Sequence, residues 1–425
     1  MAEHILRDLT LAATPIAVAA VSIYLFCKPS SSSQRSSGER LPEAAARERW
    51  PECLLPGDNP GQLSFDTMIN AQGLRIATYA IRAKEPIGAM IIVHGFRVSA
   101  RFEFIGPPVP GTAHIEWDGS VLSELHHRGV SLYLLDLQGH GQSDSARDVR
   151  AHVERFDDYP RDVLQFAREL VIPDLRCHIS SETRPPPLFL YGQSLGGGIV
   201  VRASQLCQGV VADGWPLHGL ICGAPLISVA PEMPQAVVRL FYLIASVIPT
   251  RQSHVASPPN GIDDAVYQRE LRTEPTHYHG NPRWGFLREL KRLSEGFLAP
   301  GGGADALESV RCTALLAINS YSDTLVSWRG AEALFERACH VRRKTLVLLR
   351  GIQPAIAPVD ARSGVVRTVI DQVEQTAVDN TIWSSDVLEL PLWHNLTREP
   401  QGKRLARAIA LWVQHECELA AARCR

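Results

Sequence analysis

A chain of 425 residues, 45% hydrophobic and 21% charged, has the make-up of a globular protein with ample core, built as one large α/β domain with an insertion or as two average domains. Its formal net charge of -2 offers no basic surface on which to argue for nucleic acid as a partner. Nine cysteines, odd in number and scattered without a C-x-x-C pair, argue against a disulfide framework or a zinc site and for a reducing compartment.

The N-terminus differs from the rest. Residues 9–27, LTLAATPIAVAAVSIYLFC, are an uncharged run of 19 residues, long enough as a helix to cross a hydrocarbon layer of about 30 Å. Pro15 is compatible with that, because such breakers are tolerated within membranes. Lys28 and the serine-rich stretch 29–38 follow as a flexible tether. A cleaved signal peptide fits less well, since Glu3 and Asp8 accompany only Arg7 ahead of the run and no A-x-A site precedes a plausible mature start; a buried helix is the third alternative. The expectation is a single-pass membrane anchor over 1–28 and a linker over 29–60. Lys28 and Arg35 put the downstream side in the cytosol.

From about residue 61, strand-like and helix-like patterns alternate. Residues 63–68 and 74–81 read as two strands joined at Ala71-Gln72-Gly73. Residues 88–94, GAMIIVH, are the continuous apolar run of a strand covered on both faces. Helical spacing over 121–127 precedes a second buried strand at 131–137, and apolar residues recur at helical intervals over 156–170. Further strands are expected at 188–191, 219–227 and 313–318, and at 345–349 or 387–392. Such alternation implies a mostly parallel, doubly wound sheet covered by helices. Residues 236–248 are apolar around most of a helix, which suits packing and equally a lid lined for acyl chains.

The chemistry centres on residues 187–198, PLFLYGQSLGGG. Gly192, Ser194 and Gly196 have G-x-S-x-G spacing between a strand-like run and a helix whose apolar face is Ile199, Val200, Val201 and Ala203, which is the pattern of a nucleophile elbow. The serine sits at a sharp turn, and its neighbours two residues away must lack side chains so that strand and helix can approach. Backbone N–H groups of Leu195, just after the serine, and of Phe96, in the His94-Gly95-Phe96 loop, are candidate donors to a developing oxyanion. Asp136 and His140, in the tight turn DLQGHGQS, read as turn-holding residues rather than catalysts. A serine hydroxyl needs a histidine to take its proton and a carboxylate to orient that histidine, in the order serine, acid, histidine. After Ser194, His340 and His415 fall in helical or basic segments, whereas His394 lies in a loop before the last helix. Asp323 follows an apolar strand; Asp360 and Asp371 are the runners-up.

HGF at 94–96, DLQGHGQSD at 136–144, VERFDDYPRDVLQFA at 153–167 and YGQSLGGG at 191–198 together resemble the α/β-hydrolase fold, and within it the monoacylglycerol lipase-like branch that shares patterns with the S33 serine aminopeptidases. The resemblance runs from about 62 to 415 and includes 233–250 and 274–295, which are similar to the cap of those lipases. It implies an α/β-hydrolase core over 61–227 and 309–425 and an inserted helical cap over 228–308, which the hydrophobic helix read at the N-terminus precedes. It also implies a catalytic serine at Ser194, acid at Asp323, histidine at His394, and oxyanion donors at Phe96 and Leu195, with no metal and no cofactor. Two departures stand out: an expanded segment at 97–116 and an insertion at about 352–386. The expected function is a serine hydrolase of carboxylic esters, with a monoacylglycerol or lysolipid as the favoured substrate. A small-molecule carboxylesterase, a serine peptidase or a non-catalytic ligand-binding protein on the same scaffold are the alternatives.

Overall fold

The computed structural model describes residues 63–105, 119–178, 185–212, 214–228, 235–253, 271–272, 274–350, 365–370, 382–383, 387, 390, 392, 394, 396 and 402–423. The apolar stretch 9–27 therefore lies outside the described residues. Among those described, no helix is long and apolar enough to cross a membrane.

Ten strands are described: β1 (Ser64–Ile69), β2 (Arg75–Ile81), β3 (Gly88–Val93), β4 (Val130–Leu135), β5 (Leu188–Gln193), β6 (Val210–Ala212), β7 (Trp215–Gly223), β8 (Ala314–Ser320), β9 (Arg343–Leu349) and β10 (Val365–Ile370). Their order is β1-β2-β4-β3-β5-β7-β8-β9-β10, with β6 beside β7. Pairings from β4 across to β9 are parallel, and those of β1, β2, β6 and β10 are antiparallel. The chain leaves β3 for β4 on one side and returns to β5 on the other. The C-terminal ends of β3 and β5 thus flank a switch point, where an open α/β sheet leaves a crevice for ligands.

Burial explains the uninterrupted apolar runs. Every residue of β3, β4, β5, β8 and β9 is buried, and alternate side chains enter different cores: Ile91 and Val93 one, Met90 and Ile92 the other. Each such aliphatic side chain contributes about 1.5–3 kcal/mol on full burial. The first core packs on α2 (Asp158–Phe166), α4 (Leu195–Leu206), α6 (Trp284–Phe297) and α7 (Trp328–Arg337), the second on α1 (Val121–His126) and α8 (Gly402–Ala422). The helix expected over 156–170 is interrupted: α2 passes through a π-helical turn, Ala167–Val171, into α3 (Ile172–His178).

Of the two alternatives for the strand after 313–318, 343–349 forms it. Val387, Leu390 and Leu392 instead turn within the second core, where the amide of Leu390 bonds to Val387 O and that of Leu392 to Leu390 O. The segment 352–386, read as an insertion, supplies β10, which extends the sheet antiparallel to β9. In the region read as a cap, α5 (Gln235–Val247) lies against α6, with Phe241 tilted on Trp284 and the Tyr242 hydroxyl donating to Glu295. α6 belongs to the first core, but in α5 only Ala245 is buried, and Leu243 and Val247 are 62% and 71% exposed.

Candidate active site

β5 ends at Gln193, and α4 begins at Leu195, so Ser194 alone turns the chain. It does so at φ 55° and ψ -115°, a conformation that costs a non-glycine residue about 1–3 kcal/mol and persists only where its surroundings enforce it. Three contacts enforce it here. The Ser194 amide donates to Gly223 O at 2.8 Å, and Ser194 O accepts from Leu226 N at 2.9 Å and Gly198 N at 3.3 Å. The glycines around it are required by space, because a Cβ at Gly192 would stand 2.1 Å from Gly196 O, and one at Gly196 the same distance from Val93 O.

Two distant residues meet this serine. The Ser194 hydroxyl lies 2.9 Å from His394 Nε2, and His394 Nδ1 lies 2.8 Å from Asp323 Oδ2. Asp323 can only accept there in its ionised form, so Nδ1 carries the proton and Nε2 is left as acceptor for the hydroxyl. Its other oxygen takes the amides of Leu325 and Val326 at 2.8 and 2.9 Å, which sets the carboxylate in the loop after β8. The Asp323 side chain is wholly buried, while that of His394 keeps 13% exposure. Gln193 Nε2 donates to His394 O at 2.6 Å, tying the histidine's backbone to the elbow. Ser320, near the end of β8, donates its hydroxyl to Leu392 O at 2.6 Å. The arrangement can remove a proton from Ser194 and stabilise the imidazolium that results.

The sequence-derived candidates that the structure brings together are thus Ser194, His394 and Asp323. Asp360 and Asp371 lie outside the described residues; His340 is exposed and His415 sits in α8. Asp136 holds its turn as expected. Its Oδ2 accepts from Gln142 N at 2.8 Å and from the Tyr79 hydroxyl at 3.0 Å, and its Oδ1 accepts from Ala100 N at 2.8 Å. Gly141 is required beside it, since a Cβ there would stand 2.1 Å from Oδ2.

The loop after β3 reaches the elbow: a Cβ on Gly95 would be 3.5 Å from Ser194 Cβ. His94 is fully buried; its Nδ1–H donates to Gly95 O at 2.7 Å and its Nε2 accepts from Leu137 N at 2.9 Å. Burial lowers the His94 pKa and takes that of His140 well below the usual histidine range, which keeps both rings neutral. The Phe96 ring stacks on Phe286 of α6 at 4.3 Å and meets His140 edge-on at 5.6 Å. The next residue, Arg97, has φ 74° and is clasped by the segment before α6: Tyr278 N donates to Arg97 O at 2.9 Å and Arg97 Nε to Tyr278 O at 2.8 Å.

Sequence reasoning missed Gln193, Phe286 and this backbone clasp. Only the position of Gln193 within the elbow motif could have signalled its role. Among the described residues, no group of three or more His, Cys, Asp or Glu side chains is placed to hold a metal ion.

Comparison with known proteins adds the lineage. The family model described as serine aminopeptidase, S33, matches residues 111–353, more than half of the chain. A caffeoylshikimate esterase from Arabidopsis thaliana is 26% identical over 172 residues, 39% of this chain and 47% of that enzyme, so the match spans about half of that relative. A soluble variant of monoglyceride lipase from Saccharomyces cerevisiae, in complex with a substrate analog, superposes with a TM-score of 0.55 at 16% identity, covering 85% of this chain and 99% of that one. A lipase in an open form gives 0.52 at 15% identity over 84% and 99%. At these identities the structural likeness is one of fold.

Proposed function

The chain belongs to the S33 serine aminopeptidase family and has the α/β-hydrolase fold, and from that premise we propose that it is a serine hydrolase of carboxylic esters. The observation that carries the reading is the continuous chain of hydrogen bonds from Ser194 through His394 to Asp323. Ser194 Oγ attacks the ester carbonyl while His394 Nε2 takes its proton. The imidazolium then returns that proton to the departing alcohol, leaving an acyl group on Ser194. Water, deprotonated by the same imidazole, releases the acid and restores the serine. The N–H groups of Phe96 and Leu195 are the donors to the tetrahedral oxyanion, and Leu195, as the first residue of α4, adds the positive end of a helix.

The favoured substrate is a lipid monoester of the monoacylglycerol or lysolipid kind. The apolar, largely exposed α5 supports this, as does the likeness of fold to a monoglyceride lipase. Hydrolysis of small-molecule esters is supported by the esterase relative, and amide hydrolysis by the family description. A fluorophosphonate probe is expected to label Ser194. Across a panel of p-nitrophenyl esters, monoacylglycerols and aminoacyl amides, kcat/KM is expected to be highest for medium and long acyl chains, because that ratio measures differential binding of the transition state. A preference for amides would replace the lipase reading with a peptidase, and absence of labelling and turnover would leave a binding protein.

The stretch 9–27 carries the second part of the proposal, a membrane anchor whose hydrolase domain faces the cytosol. Its support is an uncharged run of 19 residues ahead of a polar tether. Full-length protein is expected to stay in the membrane pellet on carbonate extraction, and a chain starting near residue 45 to be soluble and active. Release of the full-length chain by carbonate, or aggregation of the shortened one, would make the stretch a packed helix of the fold instead.

A further inference from the structure

We infer that Glu103 is a positioning residue of the oxyanion loop, acting through the backbone of Gly95; the inference rests on the reading of Ser194 as an ester-attacking nucleophile. Glu103 is only 3% exposed and lies on a π-helical turn, Arg101–Ile105, within the expanded segment after β3. Its side chain runs back to the loop, where Oε2 accepts the Gly95 amide at 2.5 Å. Both carboxyl oxygens lie 3.4–3.5 Å from where a Gly95 Cβ would stand, and Ser194 Cβ is 3.5 Å from the same point. The carboxyl group therefore borders Gly95, beside the serine.

What this contact does follows from peptide geometry. Glycine is the residue freest to rotate about φ and ψ, so the peptides on either side of Gly95 depend on hydrogen bonds for their orientation. The His94–Gly95 peptide is held by Glu103 through the Gly95 N–H, and the Gly95–Phe96 peptide by His94 through the Gly95 carbonyl. In a trans peptide the N–H points opposite to the C=O. Fixing the Gly95 carbonyl onto His94 thus directs the Phe96 N–H the other way, which sets the orientation of the proposed oxyanion donor. Releasing the Gly95 amide frees the loop to turn, and a donor turned away contributes nothing to the transition state.

The turn that carries Glu103 is itself braced. Glu103 N donates to Ser99 O at 2.9 Å, Phe102 N to Ser99 Oγ at 3.1 Å, and Ala100 N to Asp136 Oδ1 at 2.8 Å. Asp136 in turn is fixed by Gln142 and Tyr79. The turn-holding aspartate, the turn at 99–103 and the oxyanion loop thereby form one polar scaffold.

The test is steady-state kinetics on the best ester substrate. Glu103→Ala is expected to lower kcat about a hundredfold with KM within about threefold, because only the transition state carries the oxyanion. Glu103→Gln, whose amide oxygen can accept the same N–H, is expected to restore most of kcat. A trifluoromethyl ketone, which forms an oxyanionic adduct with the serine, should lose affinity for Glu103→Ala in parallel with kcat. If the alanine variant does not fold, Glu103→Asp, one methylene too short to reach Gly95, is expected to show the same loss of kcat at unchanged KM. Wild-type kcat in a folded Ala or Asp variant, or a Gln variant as impaired as Ala, would overturn the positioning role while leaving ester hydrolysis intact. A wild-type protein inert to every ester and to the fluorophosphonate would instead remove the hydrolase reading, and this inference with it.

Discussion

Ser194→Ala and His394→Ala are each expected to lower ester turnover by at least about a thousandfold while the thermal unfolding profile stays that of the parent protein. The size follows from the chemistry: without Oγ there is no atom to carry the acyl group, and without the imidazole the hydroxyl keeps its proton at neutral pH. The double variant should be scarcely worse than either single one, because residues that act as a unit are non-additive. Asp323→Asn should cost nearly as much, although it retains an oxygen within reach. An amide at that position can present an N–H to His394 Nδ1, which selects the tautomer whose Nε2 carries a proton and cannot take one from Ser194. Its two backbone donors, Leu325 and Val326, would still find an acceptor, so the fold should survive the change. Substantial residual turnover in both the serine and histidine variants would reject this mechanism. A larger loss in Asp360→Asn or Asp371→Asn than in Asp323→Asn would show the acid to lie elsewhere.

Gly196→Ala and Gly192→Ala are expected to abolish the folded state altogether, a different outcome from loss of activity in an intact protein. At each position the added methyl would lie 2.1 Å from a main-chain carbonyl oxygen, Val93 O in one case and Gly196 O in the other. No rotamer change relieves a clash with backbone, so β3, β5 and α4 would have to move apart. These elements hold much of the first core, and separating them would exceed the few kcal/mol typical of a point substitution. Soluble yield and the denaturant midpoint measure this. A Gly196→Ala protein recovered in normal yield with an unchanged midpoint would mean that the elbow is looser than its geometry implies. Ser194→Ala is the matching control, since it alters the same turn without adding volume.

Distance along the chain separates the features legible in the sequence from those that were not. The elbow was legible because everything that makes it is local: an apolar strand, glycines two residues either side of a serine, and an apolar helix face. Four of the five fully buried strands declared themselves through largely apolar runs, whereas β9, which opens on Arg343 and Lys344, was left as one of two alternatives. The strand at 365–370 was passed over because it sits at the sheet edge within a segment read as an insertion, where neither a long unbroken apolar run nor strict alternation marks it in the sequence. The interruption of 156–170 by a π-helical turn was likewise invisible, because helical periodicity says which face is apolar but not where the hydrogen-bond ladder slips by one residue.

By itself, then, the sequence determined the α/β class, the alternation of strand and helix, and a serine raised on a strained turn, since each depends on spacing within a few residues. His394 and Asp323 were preferred from loop position and resemblance, with Asp360 and Asp371 as runners-up, but that this imidazole and this carboxylate stand beside the serine was decided by the tertiary structure. His394 is 200 residues from Ser194 and 71 from Asp323, and only the parallel sheet, by gathering the C-terminal ends of its strands along one edge, brings such separations to hydrogen-bond distance. The place of Glu103 was equally hidden. A glutamate in an irregular segment reads as solvated surface until the fold buries it and leaves the amide of Gly95 for its oxygen to meet.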